Sequence, residues 1–407
     1  MGTPPKAVYI SKYTSYLSFG MESRQIYLSR EWVKRGYEVN VYASTANHQL
    51  TTPPMPGMHQ KDGIHIHWVP TRAYHNVYGI ARIWSWFDFE WQLYKQLRKT
   101  DFTGLTTVMV STLSILSIFN GLYLKRKYTA KLILEVRDIW PRILTDLTRV
   151  TSRHPFYKFL AWVEKIGYTQ ADVIIGTMAN LSEHVQTRVT TQVPVLHIPH
   201  LINDSIQYAA RHDHQTQLVD IRAKGFTHIL AYSGGIIGKS VGLKHLLASA
   251  DELAKAKVAI VILGNGPLKQ RYRQEFPQTS IFFVDRIPQD QVLAFLKDCD
   301  ILYDGYIKSD IYQFGSSRNK YVEYCLAAKP LLVAYAGYPL FIEEHACGKV
   351  VEPENAGALI DAVKEMLALS PAERQAMGDN AYRYAQNHLN IPTHLDTLLF
   401  TLKQLDK

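Results

Sequence analysis

Residues 227–243 read THILAYSGGIIGKSVGL, and they contain the first two parts of a strand–turn–helix unit. The apolar run Thr227–Tyr232 is typical of a buried strand, and Leu243–Ala256 has the apolar spacing of a helix. The glycine-rich turn between them lets a ligand approach the backbone, and the next helix offers free N–H groups to phosphate. The glycine spacing matches neither a Walker A loop nor a GxGxxG fingerprint. Three residues of this turn are candidate phosphate contacts: Gly234, Gly235 and Lys239.

Strand-like and helix-like segments alternate in this way along the whole chain. The first set of candidate strands comprises Ala7–Ser11, Glu38–Ala43, Ile64–Val69, Thr107–Ser111, Lys131–Val136, Val173–Gly176 and Val195–Ile198. The second set comprises Thr227–Tyr232, Lys257–Leu263, Ser280–Val284, Ile301–Tyr303, Leu331–Ala334 and Lys349–Val351. The alternation predicts an α/β protein with two doubly wound parallel sheets, divided near the polar stretch Asn203–Lys224. Ligands bind beyond the carboxyl ends of such strands, so we expect a site in a cleft between two domains, residues 1–205 and 206–389.

Composition and charge narrow the function classes. The 407 residues are 47% hydrophobic and 20% charged, which is typical of a soluble globular protein, and no run of eighteen apolar residues occurs. Three cysteines without CxxC spacing argue against structural zinc and suit a reducing cytoplasm. Residues 1–205 contain 23 Lys and Arg against 14 Asp and Glu, so they carry the whole net charge of +9. Because no nucleic-acid motif accompanies it, this charge favours a membrane surface or a phosphorylated acceptor.

Two further turns follow predicted strands of the second set. Leu263-Gly-Asn-Gly-Pro267 is a glycine turn, and Val284-Asp-Arg-Ile-Pro288 ends the next strand. Parallel strands end at one edge of a sheet, so both turns are candidates to contact the same ligand. A purely structural tight turn is an equally good interpretation of the first, and a surface turn of the second. The candidate ligand contacts here are Gly264, Asn265, Gly266 and Arg286.

The segment Ser316–Pro330 has the residue types that a nucleotide sugar requires. Asn319, Lys320 and Glu323 lie within about one turn of a predicted helix start, so they share a helix face. The lysine and the helix N-terminus suit a diphosphate, and the glutamate can accept hydrogen bonds from ribose or sugar hydroxyls. An ordinary amphipathic helix with solvated polar residues remains the alternative.

Several motifs, in their order along the chain, resemble the family 4 retaining glycosyltransferases with the GT-B fold. They are Gly20 with Arg24–Val41, the sequence Glu135-Val-Arg-Asp-Ile-Trp-Pro141, both glycine turns and the segment from Asn319 to Pro330. The sequence 135–141 resembles a bacterial subgroup that builds lipopolysaccharide, capsule and exopolysaccharide.

The resemblance implies two facing Rossmann-like domains, the first binding the acceptor and the second the nucleotide sugar. It also implies that a final helix, about residues 390–407, returns to the first domain, and that neither a metal nor another cofactor is needed. Lys320 and Glu323 would hold the diphosphate and ribose of the donor. Many relatives carry a carboxylate eight positions before Glu323, where this chain has Gly315. Ser316 and Ser317 would then contact the sugar, and the loss fits a deoxy or N-acetylamino sugar.

On the acceptor side, the resemblance points to residues at the ends of the first strands. Asp138 is the candidate to orient or deprotonate the acceptor hydroxyl, with an N-cap or an ion pair to Arg137 as the structural alternative. Gly20, Arg24 and Arg137 are candidate acceptor contacts. A solvated helix face is the alternative for Arg24.

Two basic-aromatic segments, Ala81–Lys99 and Leu122–Tyr128, suggest a membrane interface. The first contains three tryptophans, and core packing of the aromatic residues is the alternative. We therefore expect a cytoplasmic protein, peripheral on the inner membrane face, that transfers a sugar to a polyprenyl-diphosphate-linked saccharide. A sugar-nucleotide 2-epimerase and a catalytically silent GT-B subunit remain the rival functions.

Overall fold

A computed structural model describes residues 4–74, 79–147, 150–190, 192–237 and 241–405. The chain forms two compact units. Unit 1 comprises Met1–Pro199 and Ile391–Lys407, and unit 2 comprises His200–Asn390. The candidate site residues are therefore considered in each unit separately.

Unit 1 contains an eight-stranded sheet in the order β3-β4-β2-β1-β5-β6-β7-β8. Its strands are β1 (Lys6–Ile10), β2 (Glu38–Ser44), β3 (Gly57–Lys61), β4 (Ile64–Val69), β5 (Leu105–Ser111), β6 (Lys131–Val136), β7 (Val173–Gly176) and β8 (Val195–His197). Its helices are α1 (Arg24–Lys34), α2 (Ile80–Lys99), α3 (Ser117–Tyr128), α4 (Arg142–Leu147), α5 (Pro155–Gln170), α6 (Leu181–Arg188) and α16 (Ile391–Gln404). All neighbouring strands pair in parallel except β3, which is antiparallel to β4.

Unit 2 contains a six-stranded parallel sheet in the order β11-β10-β9-β12-β13-β14. Its strands are β9 (His228–Ser233), β10 (Val258–Leu263), β11 (Ile281–Val284), β12 (Ile301–Gly305), β13 (Leu331–Ala334) and β14 (Gly348–Val351). Its helices are α7 (Gln215–Ala223), α8 (Leu243–Ala248), α9 (Ala250–Lys255), α10 (Lys269–Glu275), α11 (Gln289–Lys297), α12 (Lys320–Leu326), α13 (Phe341–Glu344), α14 (Ala356–Ala368) and α15 (Pro371–His388). β10 lies inside the sheet, between β9 and β11. It reads VAIVIL and is buried at every position, as expected of a strand that is covered on both faces.

The order of each sheet reverses beside its first strand. In unit 2, β9 lies between β10 and β12, and in unit 1, β1 lies between β2 and β5. Such reversals open a crevice beyond the carboxyl ends of the strands, where ligands of doubly wound sheets bind. The two parallel α/β sheets confirm the predicted fold class.

Local differences from the prediction have local causes. The helix expected over 243–256 is two helices that meet at Ser249, where ψ rises to 0° within the right-handed helical region and the hydroxyl donates to the carbonyl of Leu246 at 2.7 Å. The last helix, α16, lies in unit 1, where Arg35 at the end of α1 pairs with Asp396 at 2.7 Å. Within the described ranges, no helix is long and apolar enough to span a bilayer.

Candidate functional site

The two glycine turns of unit 2 pack against each other through their backbones. The N–H of Gly234 donates to the carbonyl of Leu263, and the N–H of Ile236 donates to that of Asn265, both at 3.0 Å. A Cβ atom on Gly264 would lie 2.0 Å from the carbonyl oxygen of Gly234, and one on Gly266 would lie 2.3 Å from that of Ile236. Loop packing therefore requires both glycines, which is the structural alternative that the sequence left open. Contact of these turns with a ligand stays a prediction.

The rest of the first turn is described in part. The carbonyl of Gly235 accepts a hydrogen bond from the Tyr232 hydroxyl at 3.0 Å, which fixes the start of the turn over β9. Lys239, the predicted phosphate contact, lies outside the described residues.

Lys320 lies beside the glycine turn, at the first position of α12. Its Nζ atom is 3.3 Å from the point that a Cβ on Gly234 would occupy and 3.8 Å from the centre of the Tyr232 ring. It also donates to Oδ1 of Asp304, at the end of β12, at 2.9 Å. Burial lowers the pKa of Lys320 to about 8, although Asp304 opposes this shift. The structure thus brings the predicted lysine to the predicted turn, at the reversal point of the sheet.

Asp304 and Arg318 complete this cluster, and sequence reasoning missed both. The carboxylate of Asp304 is fully buried, and the same Oδ1 atom accepts a hydrogen bond from Nη1 of Arg318 at 2.7 Å. Burial alone would raise the pKa of Asp304, but Arg318 and Lys320 hold it below its ordinary value. Arg318 lies within the segment Ser316–Pro330, from which only its neighbours were selected. Asp304 directly follows the predicted strand Ile301–Tyr303.

Glu323 lies on the same helix but has different neighbours from Lys320. Burial raises its pKa to about 7, against the effects of a hydrogen bond with Gln289 and of the Lys320 charge. Glu323 also contributes to the raised pKa of Tyr208, after burial of the phenol. A carboxyl that is partly protonated near neutral pH can both accept and donate hydrogen bonds to hydroxyls.

The remaining predicted donor contacts lie around this cluster. Ser316 donates to the hydroxyl of Tyr306 at 3.1 Å, and Ser317 accepts from the backbone N–H of His200 at 3.2 Å. Asn319 precedes α12 and is exposed, without a capping hydrogen bond from its side chain. Asn265 accepts from Lys269 at 2.8 Å, and Arg286 is exposed at the turn after β11. Their ligand contacts stay predictions.

Arg24 of unit 1 is buried in an ion pair. Its Nε atom donates to Glu135 at the end of β6 at 2.7 Å, and its Nη2 and Nη1 atoms donate to the carbonyls of Ile198, at 2.9 Å, and Pro199. Tyr9 donates to the other carboxylate oxygen of Glu135 at 2.6 Å. The structure therefore gives Arg24 an internal role at the end of β8, in place of the solvated face considered as its alternative.

Gly20 and the segment 137–138 lie in loops that follow strands or precede helices of unit 1. A Cβ atom on Gly20 would lie 2.8 Å from the carbonyl oxygen of Gln49, so close loop packing accounts for this glycine. The backbone N–H of Arg137 donates to the Thr112 hydroxyl at 3.1 Å. Burial raises the pKa of Asp138, while Arg137 and Arg82 oppose the shift. A carboxylate with a raised pKa is a better proton acceptor, but catalysis by Asp138 stays a prediction.

A buried lysine after β1 was not predicted from sequence. Lys12 is fully buried, its Nζ atom lies 5.3 Å from the centre of the Phe89 ring, and burial lowers its pKa to about 7. Nearby Glu90 has its pKa raised to about 7 by burial, and it accepts hydrogen bonds from Ser117 at 2.6 Å and Asn120 at 2.7 Å. The signal was weak, since a single lysine after a strand is common.

An aromatic face extends over three helices of unit 1. Its exposed members are Trp84, Phe87 and Trp91 on α2, Phe119 on α3 and Trp162 on α5. Tyr94 contacts Tyr123 with ring centres 5.3 Å apart, and Phe119 contacts Trp162 at 6.0 Å, which joins the three helices. Trp86 and Phe89 of the same segment are buried, so core packing explains part of it. We call these five exposed side chains the aromatic face.

Comparisons with known proteins agree with this architecture. Residues 227–384 match the family model described as glycosyl transferases group 1. A sucrose-phosphate synthase from Thermosynechococcus elongatus aligns at 16% identity over 98% of this chain and 99% of that one, with a TM-score of 0.74. HepE from Anabaena, in complex with UDP-glucose, aligns at 11% identity over 98% and 99%, with a TM-score of 0.65. WaaG, a glycosyltransferase involved in lipopolysaccharide biosynthesis, aligns at 15% identity over 93% and 95%, with a TM-score of 0.59.

The structural similarity identifies the fold as GT-B. The family match covers β9 to β14 and the cluster of Asp304, Arg318 and Lys320. Together they support a GT-B glycosyltransferase. No curated protein sequence matches the chain significantly. In the described part of the chain, no group of three or more His, Cys, Asp or Glu side chains is arranged to hold a metal ion.

Proposed function

We propose that this protein is a family 4 retaining glycosyltransferase that transfers a sugar from a nucleoside diphosphate to a polyprenyl-diphosphate-linked saccharide. The reaction belongs to the assembly of bacterial surface polysaccharides. The observation that carries the proposal is the position of Lys320, which lies between the glycine turn of β9 and the carboxylate of Asp304. It supplies a cation that is only 15% exposed, at the edge of the sheet where a nucleotide ligand binds in doubly wound folds.

The chemistry follows from the charge that develops during transfer. The bond between the sugar C1 and the β-phosphate oxygen breaks, and its electron pair remains on the diphosphate. Lys320 stabilises this growing negative charge more strongly in the transition state than in the ground state. The acceptor hydroxyl then bonds to C1 on the same face, and its proton passes to the departing phosphate. Asp138 orients that hydroxyl, and Glu323 binds ribose.

The nature of the donor rests on two lines of support. HepE was solved with UDP-glucose, which favours a nucleoside diphosphate sugar for this chain as well. Gly315 stands where many relatives carry a carboxylate, and Ser316 and Ser317 follow it. The loss of a charged acceptor for sugar hydroxyls favours a deoxy or N-acetylamino sugar.

Donor binding is the first test. Purified protein is heated with UDP-, GDP-, ADP- or dTDP-sugars without a divalent metal, and the unfolding midpoint is recorded. One nucleotide should raise the midpoint, because a ligand that binds the native state stabilises it by mass action. The Lys320→Ala variant should lose this shift. A wild-type protein that folds, as judged by circular dichroism, yet shows no shift with any donor would contradict the donor assignment.

The lipid-linked acceptor and the peripheral membrane location are supported by the aromatic face. Trp84 and Trp91 are 60% and 59% exposed, although an indole ring in water is unfavourable. Lys95 lies over the Trp91 ring, with Nζ 6.0 Å from its centre, and Lys127 lies 5.7 Å from that of Tyr123. Exposed indoles beside lysines suit the headgroup region of an anionic bilayer.

Membrane binding is tested with vesicles of phosphatidylcholine, with and without phosphatidylglycerol. We expect sedimentation with the anionic vesicles, weakened by salt, and at least about a tenfold loss of binding in the Trp84→Ala/Trp91→Ala/Trp162→Ala variant. Phe400→Ala is the matched control, because Phe400 is 63% exposed on α16, outside the aromatic face. Equal binding of the triple variant and the control would contradict this part of the proposal.

A further inference from the structure

We infer that Arg318 is a second phosphate-binding cation of the donor site, which Asp304 holds beside Lys320. The inference rests on the proposed function, because it assigns the ligand of this cluster as a nucleoside diphosphate. Both cations donate hydrogen bonds to a single oxygen atom. Oδ1 of Asp304 accepts hydrogen bonds from Nη1 of Arg318, at 2.7 Å, and from Nζ of Lys320, at 2.9 Å.

Sharing one oxygen places two cations side by side. The cluster contains two cations that contact one buried carboxylate. The repulsion between the two cations is relieved when an anion binds next to them.

The two cations are reachable, whereas the carboxylate is not. The side chains of Arg318 and Lys320 are 21% and 15% exposed, and that of Asp304 is 0% exposed. Asp304 thus lies behind the cations, where it orients them without meeting a ligand. This arrangement suits recognition of an anion from the open side.

Aromatic rings fix the direction of both cations. The guanidinium carbon of Arg318 lies 3.5 Å from the centre of the Tyr306 ring, and Nζ of Lys320 lies 3.8 Å from that of Tyr232. Nη1 of Arg318 also donates to the carbonyl of Gly305 at 3.0 Å. A planar guanidinium held in this way is ordered before a ligand arrives, which lowers the entropic cost of binding.

The charge of the ligand follows from the charge of the cluster. A diphosphate has two adjacent anionic groups, and the paired cations can each contact one of them. A monophosphate offers a single group. The cluster should therefore distinguish diphosphates from monophosphates, with Arg318 responsible for much of the difference.

The test measures equilibrium binding by calorimetry for UDP, GDP, ADP and dTDP, for their monophosphates, and for inorganic pyrophosphate. In Arg318→Gln, we expect diphosphate affinity to fall at least about tenfold and monophosphate affinity to change much less. Arg222→Gln is the matched control, because Arg222 also pairs with an aspartate, Asp300, at 2.9 Å. Asp300 directly precedes β12, at the end of the strand opposite to Asp304. It should bind like the wild type.

A double variant separates phosphate binding from a structural role. If Arg318 only neutralises Asp304, then adding Arg318→Gln to Asp304→Asn should cost no further diphosphate affinity, because the carboxylate is already absent and Lys320 has lost the same partner in both variants. We expect a further loss of affinity in the double variant. No further loss, or an affinity of Arg318→Gln within twofold of the wild type, would overturn the inference.

Pyrophosphate distinguishes this inference from the proposed function, because it carries no base or sugar. If the wild type binds pyrophosphate through Arg318 but no nucleotide, Arg318 is a phosphate-binding cation as inferred, whereas its assignment to a nucleoside diphosphate and the nucleotide-sugar function are both wrong. If the wild type binds neither pyrophosphate nor any diphosphate, the inference is wrong as well.

Discussion

At the scale of single residues, Lys320 is the strongest determinant of the proposed chemistry. Its side chain is only 15% exposed and its ammonium lies between Tyr232 and Asp304, so water screens it less than a surface lysine and its effect on a nearby phosphate is larger. We expect Lys320→Ala to lower the turnover of the cognate donor by about a hundredfold or more, because the leaving diphosphate loses a preorganised cation.

This prediction is checked by steady-state kinetics with the donor that the thermal screen selects. Lys349→Ala is a suitable control. Like Lys320, Lys349 is a lysine of unit 2 that pairs with a carboxylate, but its partner is Glu365 and it lies on β14. Lys349→Ala should retain wild-type turnover. A Lys320→Ala enzyme that keeps its fold and its turnover would refute the assignment.

The residues of the candidate site differ in how far the sequence revealed them. Lys320 and Glu323 could be predicted because both fall in one short helix, where spacing determines a shared face. Asp304 could not, because it ends a buried strand and contacts Arg318 only through the tertiary fold. Lys12 and Glu90 were missed for the same reason. Lys12 follows β1 and Glu90 lies on α2, so only the tertiary fold brings them close together.

At the scale of secondary-structure elements, the backbone contact between the two glycine turns joins the loops that follow β9 and β10. Gly266 is a suitable position for testing this contact, because its backbone conformation is one that any residue can adopt. A substitution there therefore tests the close approach of the two turns alone. A methyl group on Gly266 would lie 2.3 Å from the carbonyl oxygen of Ile236, so the loops must separate. We expect Gly266→Ala to lower the free energy of unfolding by about 1–3 kcal/mol and to weaken donor binding.

Urea unfolding of the variant checks this prediction. Gly357→Ala is the matched control, because its methyl group would meet nothing nearer than Asn355 at 3.4 Å, within α14. That substitution should leave stability unchanged or raise it slightly. Equal stability of Gly266→Ala and the wild type would show that the turns do not need this close approach.

Elements were predictable from sequence where burial imposes a pattern. The parallel strands could be located because they are buried on both faces and read as apolar runs. The edge strand β3 was missed, since its residues Gly57–Lys61 are largely exposed and show no apolar period. The break at Ser249 was missed because the apolar spacing continues from α8 into α9 and conceals it.

At the scale of the whole molecule, one lysine in each unit has a lowered pKa and makes stability depend on pH. Lys12 is fully buried, and Lys320 is 15% exposed. Burial lowers the pKa of Lys12 to about 7 and that of Lys320 to about 8, below the ordinary value of 10.5. Above these values the native state releases protons that the unfolded chain still binds. Because stability rises with pH wherever the unfolded state binds more protons, these two groups raise it from about pH 7 upward.

Buried thiols set the upper limit of this window. Burial raises the pKa of Cys299, Cys325 and Cys347 above the ordinary value of 9.0, so these thiols stay protonated in the native state while they ionise in the unfolded chain. Raised pKa values of buried tyrosines act in the same direction from about pH 10. We therefore expect the free energy of unfolding to rise between about pH 7 and pH 9 and to fall above that.

Urea unfolding at a series of pH values from 6 to 11 would test this expectation. Lys12→Met and Lys320→Met should each flatten the rise, because each removes one of the groups responsible. Lys95→Met, at an exposed position of α2, should leave the rise intact. If the wild type shows no rise over this range, or if Lys12→Met and Lys95→Met have the same profile, then the lysine ammonium groups are not desolvated as the structure indicates. The assignment of Lys320 as a buried, preorganised cation would then lose its physical basis.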